Sequence, residues 1–303
     1  MPKIEQSLRC SPDQRSGCAP RLDEGVEHRW VDVAGGLRVH VAEAGEGPPL
    51  LLLHGWPQHW WMWRGVIPAL ARSHRVICAD LRGHGWTDAP RSGYAKERLA
   101  SDAIALLDAL GIERVGLMGH DWGGYIGFLL CLRAPGRIER FLALNTGHPL
   151  SEPSAERALS LFRFWYAAVL GSPLVGERLL RSGLVAKALE RDLVPRVWSE
   201  EAAHTYLDQF LEPARARAAS QVYRSFLLHD APAVVGGSYR GQRLRQPVLA
   251  LHGADDPVLP AKTVSDLPQH ADHARVEPVE GVGHFIVDEV PELVAQRAAA
   301  FFA

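Results

Sequence analysis

At 303 residues the chain is long enough to bury one large core with an insertion. Charged residues make up 22% of it and the formal net charge is −2, which gives no electrostatic footprint for nucleic acid or an anionic membrane. No apolar run approaches the roughly 18 residues that a membrane span requires.

Residues 1–24 show no periodicity and read as a loose tail. They are polar from Lys3 to Glu24, without the apolar stretch of a secretion leader, so a soluble, cytoplasmic protein is expected. Cys10 and Cys18 lie in this tail, where neither a disulfide nor a metal role is expected. Trp30–Val33 and Leu37–Val41 flank Ala34-Gly35-Gly36 and read as a hairpin. Short apolar strands then alternate with helices. Strands are expected at 50–53, 76–79, 115–118 and 141–144, and helices at 64–72, 96–110 and 126–133. Cys78 and Cys131 fall inside this set, where buried thiols are ordinary. The alternation specifies an α/β fold, a mostly parallel sheet with helices on both faces.

The rhythm breaks between Pro149 and about Arg240. This stretch holds helix-length segments separated by Pro173, Pro195, Pro213 and Pro232, and Ser199-Glu200-Glu201 is a good helix start. Strand character returns at 247–251 and 275–279, followed by a closing helix over 291–302. The expected organisation is a tail (1–24), a core in two parts (25–149 and 241–303) and an inserted all-helical cap (150–240) over the strand ends.

The chemistry centres on Gly119-His120-Asp121-Trp122-Gly123-Gly124, between an expected strand and an apolar helix-forming segment. Such a strand-to-helix turn is sharp, and only small residues fit two positions either side of its apex. Gly119 and Gly123 occupy those positions, so Asp121 is the apex. A serine there would attack a carbonyl and give an acyl-enzyme. A carboxylate attacking a saturated carbon gives an ester that activated water can cleave at the enzyme's own Cγ. Asp121 therefore points to an electrophilic sp³ carbon, as in epoxides or alkyl halides. The plainer alternative is a loop aspartate or a helix N-cap.

An ester intermediate requires a base, and the base an orienting acid. His284, in Gly281-Val282-Gly283-His284-Phe285, stands between the last strand and the last helix and completes the order nucleophile, acid, histidine. Asp255 and Asp256 are the acid candidates. Asp256 is preferred because it comes three residues after Gly253 and just before Pro257-Val258. Asn145, at the other usual place for an acid, cannot carry the charge. Backbone N–H groups of Trp56 and Trp122 are the expected oxyanion donors. His54 and His120 read as structural. Trp56, Trp60, Trp61 and Trp63 are expected to line an apolar pocket, with core packing as the alternative for some. The histidines, His270 and His273 included, show no metal-ligand spacing, so no metal and no cofactor are expected.

These motifs resemble the α/β-hydrolase fold family and, within it, the epoxide hydrolases. The likeness runs from about residue 28 to 303. It is carried by His54-Gly55-Trp56-Pro57, Asp80-Leu81-Arg82-Gly83-His84-Gly85, the hexapeptide at 119–124, Leu144-Asn145-Thr146 and Gly281–Phe285. The resemblance implies two cap tyrosines that hold the epoxide oxygen. Tyr166 and Tyr223 match their places, and Tyr206 lies one helix too early. A small apolar or aromatic epoxide is the implied substrate. Haloalkane dehalogenases share most of these motifs, one subgroup with its acid after the later strand, and Trp122 with Trp165 could serve there as a halide-binding pair. Trp56 replaces the asparagine of another dehalogenase subgroup, and Trp122 replaces the arginine of fluoroacetate dehalogenases. A catalytically silent binding protein is the rival of another class.

Overall fold

The computed structural model describes residues 25–150, 165–173, 175–192 and 197–303. The expected tail, with Cys10 and Cys18, and Pro195 lie outside them. Eight strands form one sheet in the order β1-β2-β4-β3-β5-β6-β7-β8. The hairpin is β1 (Glu27–Val33) and β2 (Leu37–Ala44), and β2 joins β4 antiparallel. The remaining pairs are parallel: β3 (Pro49–Leu53), β4 (Arg75–Ala79), β5 (Val115–His120), β6 (Ile138–Leu144), β7 (Val248–Gly253) and β8 (Ala274–Val279).

The central strands are apolar throughout because both faces are covered. Leu50, Leu52, Cys78, Met118 and Leu142 pack into one core. Their neighbours Leu51, Leu53, Ile77, Leu117, Phe141 and Ala143 pack into the core on the other face. This is the two-residue alternation of a strand, with each buried leucine contributing about 1.5–3 kcal/mol.

The helices of the first half are α1 (Ile67–Leu70), α2 (Lys96–Ala109) and α3 (Trp122–Arg133). The helix expected over 64–72 is instead a 3-10 turn, Trp60–Gly65, followed by the short α1. The turn starts early because the His59 side chain accepts from Trp61 N–H, and Pro68 at the start of α1 offers no N–H to continue it. This geometry also corrects the tryptophan cluster. Trp60 and Trp63 are fully buried in the core, Trp61 packs against Tyr206, and of the four only Trp56 lines the pocket.

Between β6 and β7 the described residues form helices and no strand: α4 (Trp165–Leu170), α5 (Gly176–Arg181), α6 (Leu184–Asp192), α7 (Glu200–Leu207), α8 (Pro213–Ser225) and α9 (Ala231–Val235). A 3-10 turn, Asp208–Leu211, leads into α8, and a π-helical turn, Phe226–Asp230, follows it. Ser199 caps α7 by accepting from Ala202 N–H at 3.2 Å, and Pro213 sits at the start of α8, where its missing N–H is harmless. The chain closes with α10 (Ile286–Glu289) and α11 (Pro291–Phe302). Among the described residues no helix is long and apolar enough to cross a membrane.

A buried carboxylate ties the helical layer to the sheet layer. Asp288 of α10 accepts from Arg64 Nη1 (2.7 Å), Gln58 Nε2 (2.6 Å) and Trp198 Nε1 (3.0 Å). Tyr206 of α7 donates to the same carboxylate at 3.4 Å and accepts from Arg64. That places Tyr206 in a structural latch, away from the pocket.

Candidate active site

The turn after β5 carries Asp121 at φ 48° and ψ −118°, a conformation strained for any residue with a Cβ. Three bonds over-determine it. Asp121 N–H donates to Leu144 O (3.2 Å), and Asp121 O accepts from Tyr125 N–H (3.0 Å) and from Thr146 Oγ1 (2.8 Å). Because the Tyr125 bond is already helical, α3 begins at Trp122, earlier than the apolar run suggests. A Cβ on Gly123 would overlap the Leu53 carbonyl, so the first turn of α3 can lie against β3 only with glycine there.

The loop after β3 delivers the next groups. Trp56 N–H donates to Asp121 Oδ2 at 2.9 Å, and Trp122 N–H bonds the same carboxylate. A Cβ on Gly55 would stand 2.5 Å from Asp121 Cβ, which is why the loop can come this close. The Trp56–Pro57 peptide is cis. His54 braces the loop: it accepts from Leu81 N–H at 2.9 Å and its other ring nitrogen bonds Gly55 O.

On the far side of Asp121, His284 Nδ1 lies 2.9 Å from Asp256 Oδ2. Asp256 is buried and Asp255 is exposed. The second Asp256 oxygen accepts from Val258 N–H (2.8 Å) and Leu259 N–H (2.9 Å). Burial alone would raise the Asp256 pKa, but the imidazole and these donors hold it down at about 2. Burial alone would depress His284, yet the Asp256 carboxylate, its hydrogen bond and the Asp121 charge leave it above the ordinary histidine value. Asp121 is shifted up by burial against the opposing pull of His284 and the two N–H groups. His120, neutral and driven down to about 3 by burial, bonds His284 O through Nε2 at 2.8 Å and so supports the histidine's backbone.

Two further residues brace the site: Asn145, noted in the sequence only as unable to be the acid, and Glu289, which the sequence did not single out. Asn145, itself at φ 38°, donates from Nδ2 to Asp256 Oδ2 (2.8 Å) and to Gly283 O (2.9 Å), and accepts from Gly253 N–H. The residue that cannot serve as the acid thus holds the acid and the histidine loop together. Glu289 accepts from Gly283 N–H (2.7 Å) and Phe285 N–H (3.0 Å), bracketing His284 on both sides.

Asp121, Trp56, Trp122, Tyr166, Tyr223 and His284 all line one cavity of about 680 Å³. Most of its remaining wall is apolar, including Leu170, Leu189, Phe226, Val234 and Phe285. Tyr166 and Tyr223 meet edge to face with ring centroids 5.9 Å apart. Burial first, and then the nearby Asp121 charge among others, raises both phenol pKa values, so both hydroxyls stay protonated donors. The Trp122 side chain hydrogen-bonds Tyr223. Trp165 lines the cavity mouth but is 69% exposed.

Comparison with known proteins agrees with this architecture. The sequence model of the alpha/beta hydrolase fold matches residues 48–291. A protein named soluble epoxide hydrolase from Corynebacterium sp. (strain C12) is 33% identical over 282 residues, which is 88% of this chain and 94% of that protein. Among solved structures, the unliganded epoxide hydrolase CorEH superposes with a TM-score of 0.80 at 31% identity, over 91% of this chain and 98% of its own. A Salmonella enterica protein provisionally assigned as an acyltransferase gives a TM-score of 0.83 at 29% identity, over 94% and 98%. Fold likeness therefore spans more than one reaction, and the site must select among them.

Proposed function

Because the chain belongs to the α/β-hydrolase fold family, we propose that it is an epoxide hydrolase working through an aspartyl ester. One observation carries the reading: a carboxylate stands at the turn apex, and two protonated phenols line the same cavity. Residues 150–240 are taken as the cap that brings the phenols. Tyr166 and Tyr223 bind the epoxide oxygen. Asp121 attacks a ring carbon from the opposite side, the carbon–oxygen bond of the ring breaks, and the released alkoxide is protonated through the tyrosines.

Trp56 N–H occupies Asp121 Oδ2, so Oδ1 is the attacking oxygen and Oδ2 becomes the ester carbonyl. Ester formation removes the Asp121 charge, one of the influences that hold the His284 pKa up. The imidazole then releases its proton more readily and becomes the base for the second step. His284 takes a proton from water, the hydroxide adds to Cγ, and the negative charge falls on Oδ2 between the Trp56 and Trp122 N–H groups. Collapse breaks the acyl bond and His284 returns its proton to the departing diol oxygen; the proton left on the Asp121 carboxyl is lost to solvent, the tyrosine that gave its proton regains one, and a vicinal diol leaves. Asp256 stabilises the imidazolium between these events.

The test is the intact mass of His284→Gln after separate exposure to an aryl epoxide and a bromoalkane. The expected result is an adduct of the whole epoxide's mass and none from the bromoalkane. An alkyl adduct with bromide released would make the protein a dehalogenase. No adduct from either would favour a silent fold.

A further inference from the structure

Lys96 is fully buried at the first position of α2, yet no step of the reaction above uses it. Burying an ammonium costs several kcal/mol, and an apolar residue of the same length often serves a core at least as well. The surroundings of this one are specific. Its Nζ donates to Asp230 Oδ2 at 3.2 Å and to Val222 O at 3.0 Å, and it lies 4.1 Å from the centre of the Trp122 ring. Asp230 Oδ1 also accepts the Lys96 N–H at 3.1 Å. Helix α2 has alanine at its N-cap and no cap bond of its own, so a residue of the helical layer completes it.

Two of these contacts reach the reacting groups by one residue each. Val222 immediately precedes Tyr223. Trp122 follows Asp121, gives it a backbone N–H, and hydrogen-bonds Tyr223 through its side chain. The π-helical turn, whose last residue is Asp230, comes three residues after Tyr223 and ends α8 in the geometry that lets Asp230 meet Lys96. Irregular turns of this kind concentrate at functional sites. Burial draws the ammonium pKa down, while Asp230 and, less strongly, Asp121 draw it up.

We propose that Lys96 is a positioning residue: it clamps α8 onto Trp122 and thereby sets the separation between the Tyr223 hydroxyl and the Asp121 carboxylate. This rests on the reading that Asp121 opens an epoxide held by Tyr223. It predicts a defect confined to ring opening, because Lys96 meets the Trp122 ring and not the backbone N–H that ester hydrolysis uses beside His284 and Trp56.

The experiment is single-turnover kinetics with styrene oxide, following ester formation and decay by rapid-quench mass spectrometry in wild type, Lys96→Met and Tyr223→Phe, singly and combined. Lys96→Met should slow ester formation about 10–100-fold and leave decay within about twofold. Added to Tyr223→Phe, it should cost about threefold or less, since both act on one contact. Equal slowing of both steps, full additivity with Tyr223→Phe, or unchanged ester formation would overturn the proposal. If Lys96→Met does not fold, Lys96→Met/Asp230→Leu removes both charges together and is read by the same criteria. If wild type forms no ester at all, the reading of the site fails and this inference with it; an ester in wild type with no effect of Lys96 defeats the inference alone.

Discussion

On the sheet side of the cavity, Asp121, Asp256 and His284 stand one, three and five residues beyond the ends of β5, β7 and β8. Asp121 and Asp256 are fixed by backbone groups of their own loops or of a neighbouring strand, and His284 by the side chains of Asp256, His120 and Glu289 around it. On the helical side, Tyr166 and Tyr223 meet edge to face, Trp122 bonds Tyr223 with a buried cation behind its ring, and a latch through Asp288 ties the same layer to the sheet. The sheet side is a product of local turn geometry, whereas the helical side depends on how separate helices dock. The two halves of the site therefore depend on different parts of the sequence, and substitutions can perturb them separately.

The hardest test of that contrast is Asp121→Ala. It should reduce turnover by about 10⁴-fold or more with the fold retained, measured as diol release alongside circular dichroism. Substantial residual turnover would mean that the sheet side does not hold the nucleophile. Next come Tyr166→Phe and Tyr223→Phe, each expected to slow ester formation about 10–100-fold with little change in ester decay. Loss of decay in either variant would erase the division of labour between the two sides.

The pH dependence separates the two steps on the sheet side itself. On the proposed mechanism Asp121 must be ionised to attack, and its pKa lies above the ordinary carboxylate value, so ester formation should fail as pH falls through that raised pKa. His284 must be neutral to activate water, and in the free enzyme it titrates above the ordinary histidine value. Ester formation removes the Asp121 charge, one of the influences that hold His284 up, so in the ester it titrates lower than in the free enzyme. Acidifying from neutral pH should therefore slow ester decay as His284 takes up a proton, and enrich the ester while Asp121 stays ionised, as followed by quenched intact mass. Depletion of the ester on acidification would reverse the assignment.

The smallest effect is on stability. Arg64→Met leaves the buried Asp288 carboxylate without its cation. It should cost about 2–3 kcal/mol in chemical denaturation, with ester decay less affected than ester formation because the helical layer loosens first.

The strands, the closing helix over 291–302 and the loops of Asp121, Asp256 and His284 were legible because each follows from short-range pattern: apolar runs, turn glycines, and order along the chain. Asp256 is buried against His284 and Asp255 is exposed, a difference that one position in the sequence does not reveal. The 3-10 turn at Trp60–Gly65 was not legible, since it depends on the His59 ring and on Asp80 accepting Trp60 N–H from 20 residues away. The same limit hid Lys96, Asp288 and the bracing role of Asn145, of which only the place in its motif was visible. Their partners lie 134, 224 and 111 residues distant, and nothing in local composition announces those contacts. Glu289 is the exception, only four to six residues from the N–H groups it accepts, and a carboxylate shortly after a glycine-rich histidine loop was a signal within reach.

The hydrogen bond from Trp56 N–H to Asp121 Oδ2 has an isotopic consequence. On the proposed mechanism Oδ1 departs inside the diol and a solvent oxygen replaces it, while Oδ2 stays where Trp56 holds it. In heavy-oxygen water, the first diol from each molecule should therefore carry ordinary oxygen, and every later one the label. The enzyme should gain one heavy atom and not two, as long as the carboxylate does not rotate between turnovers. The second atom's arrival would then time the breaking of that single bond.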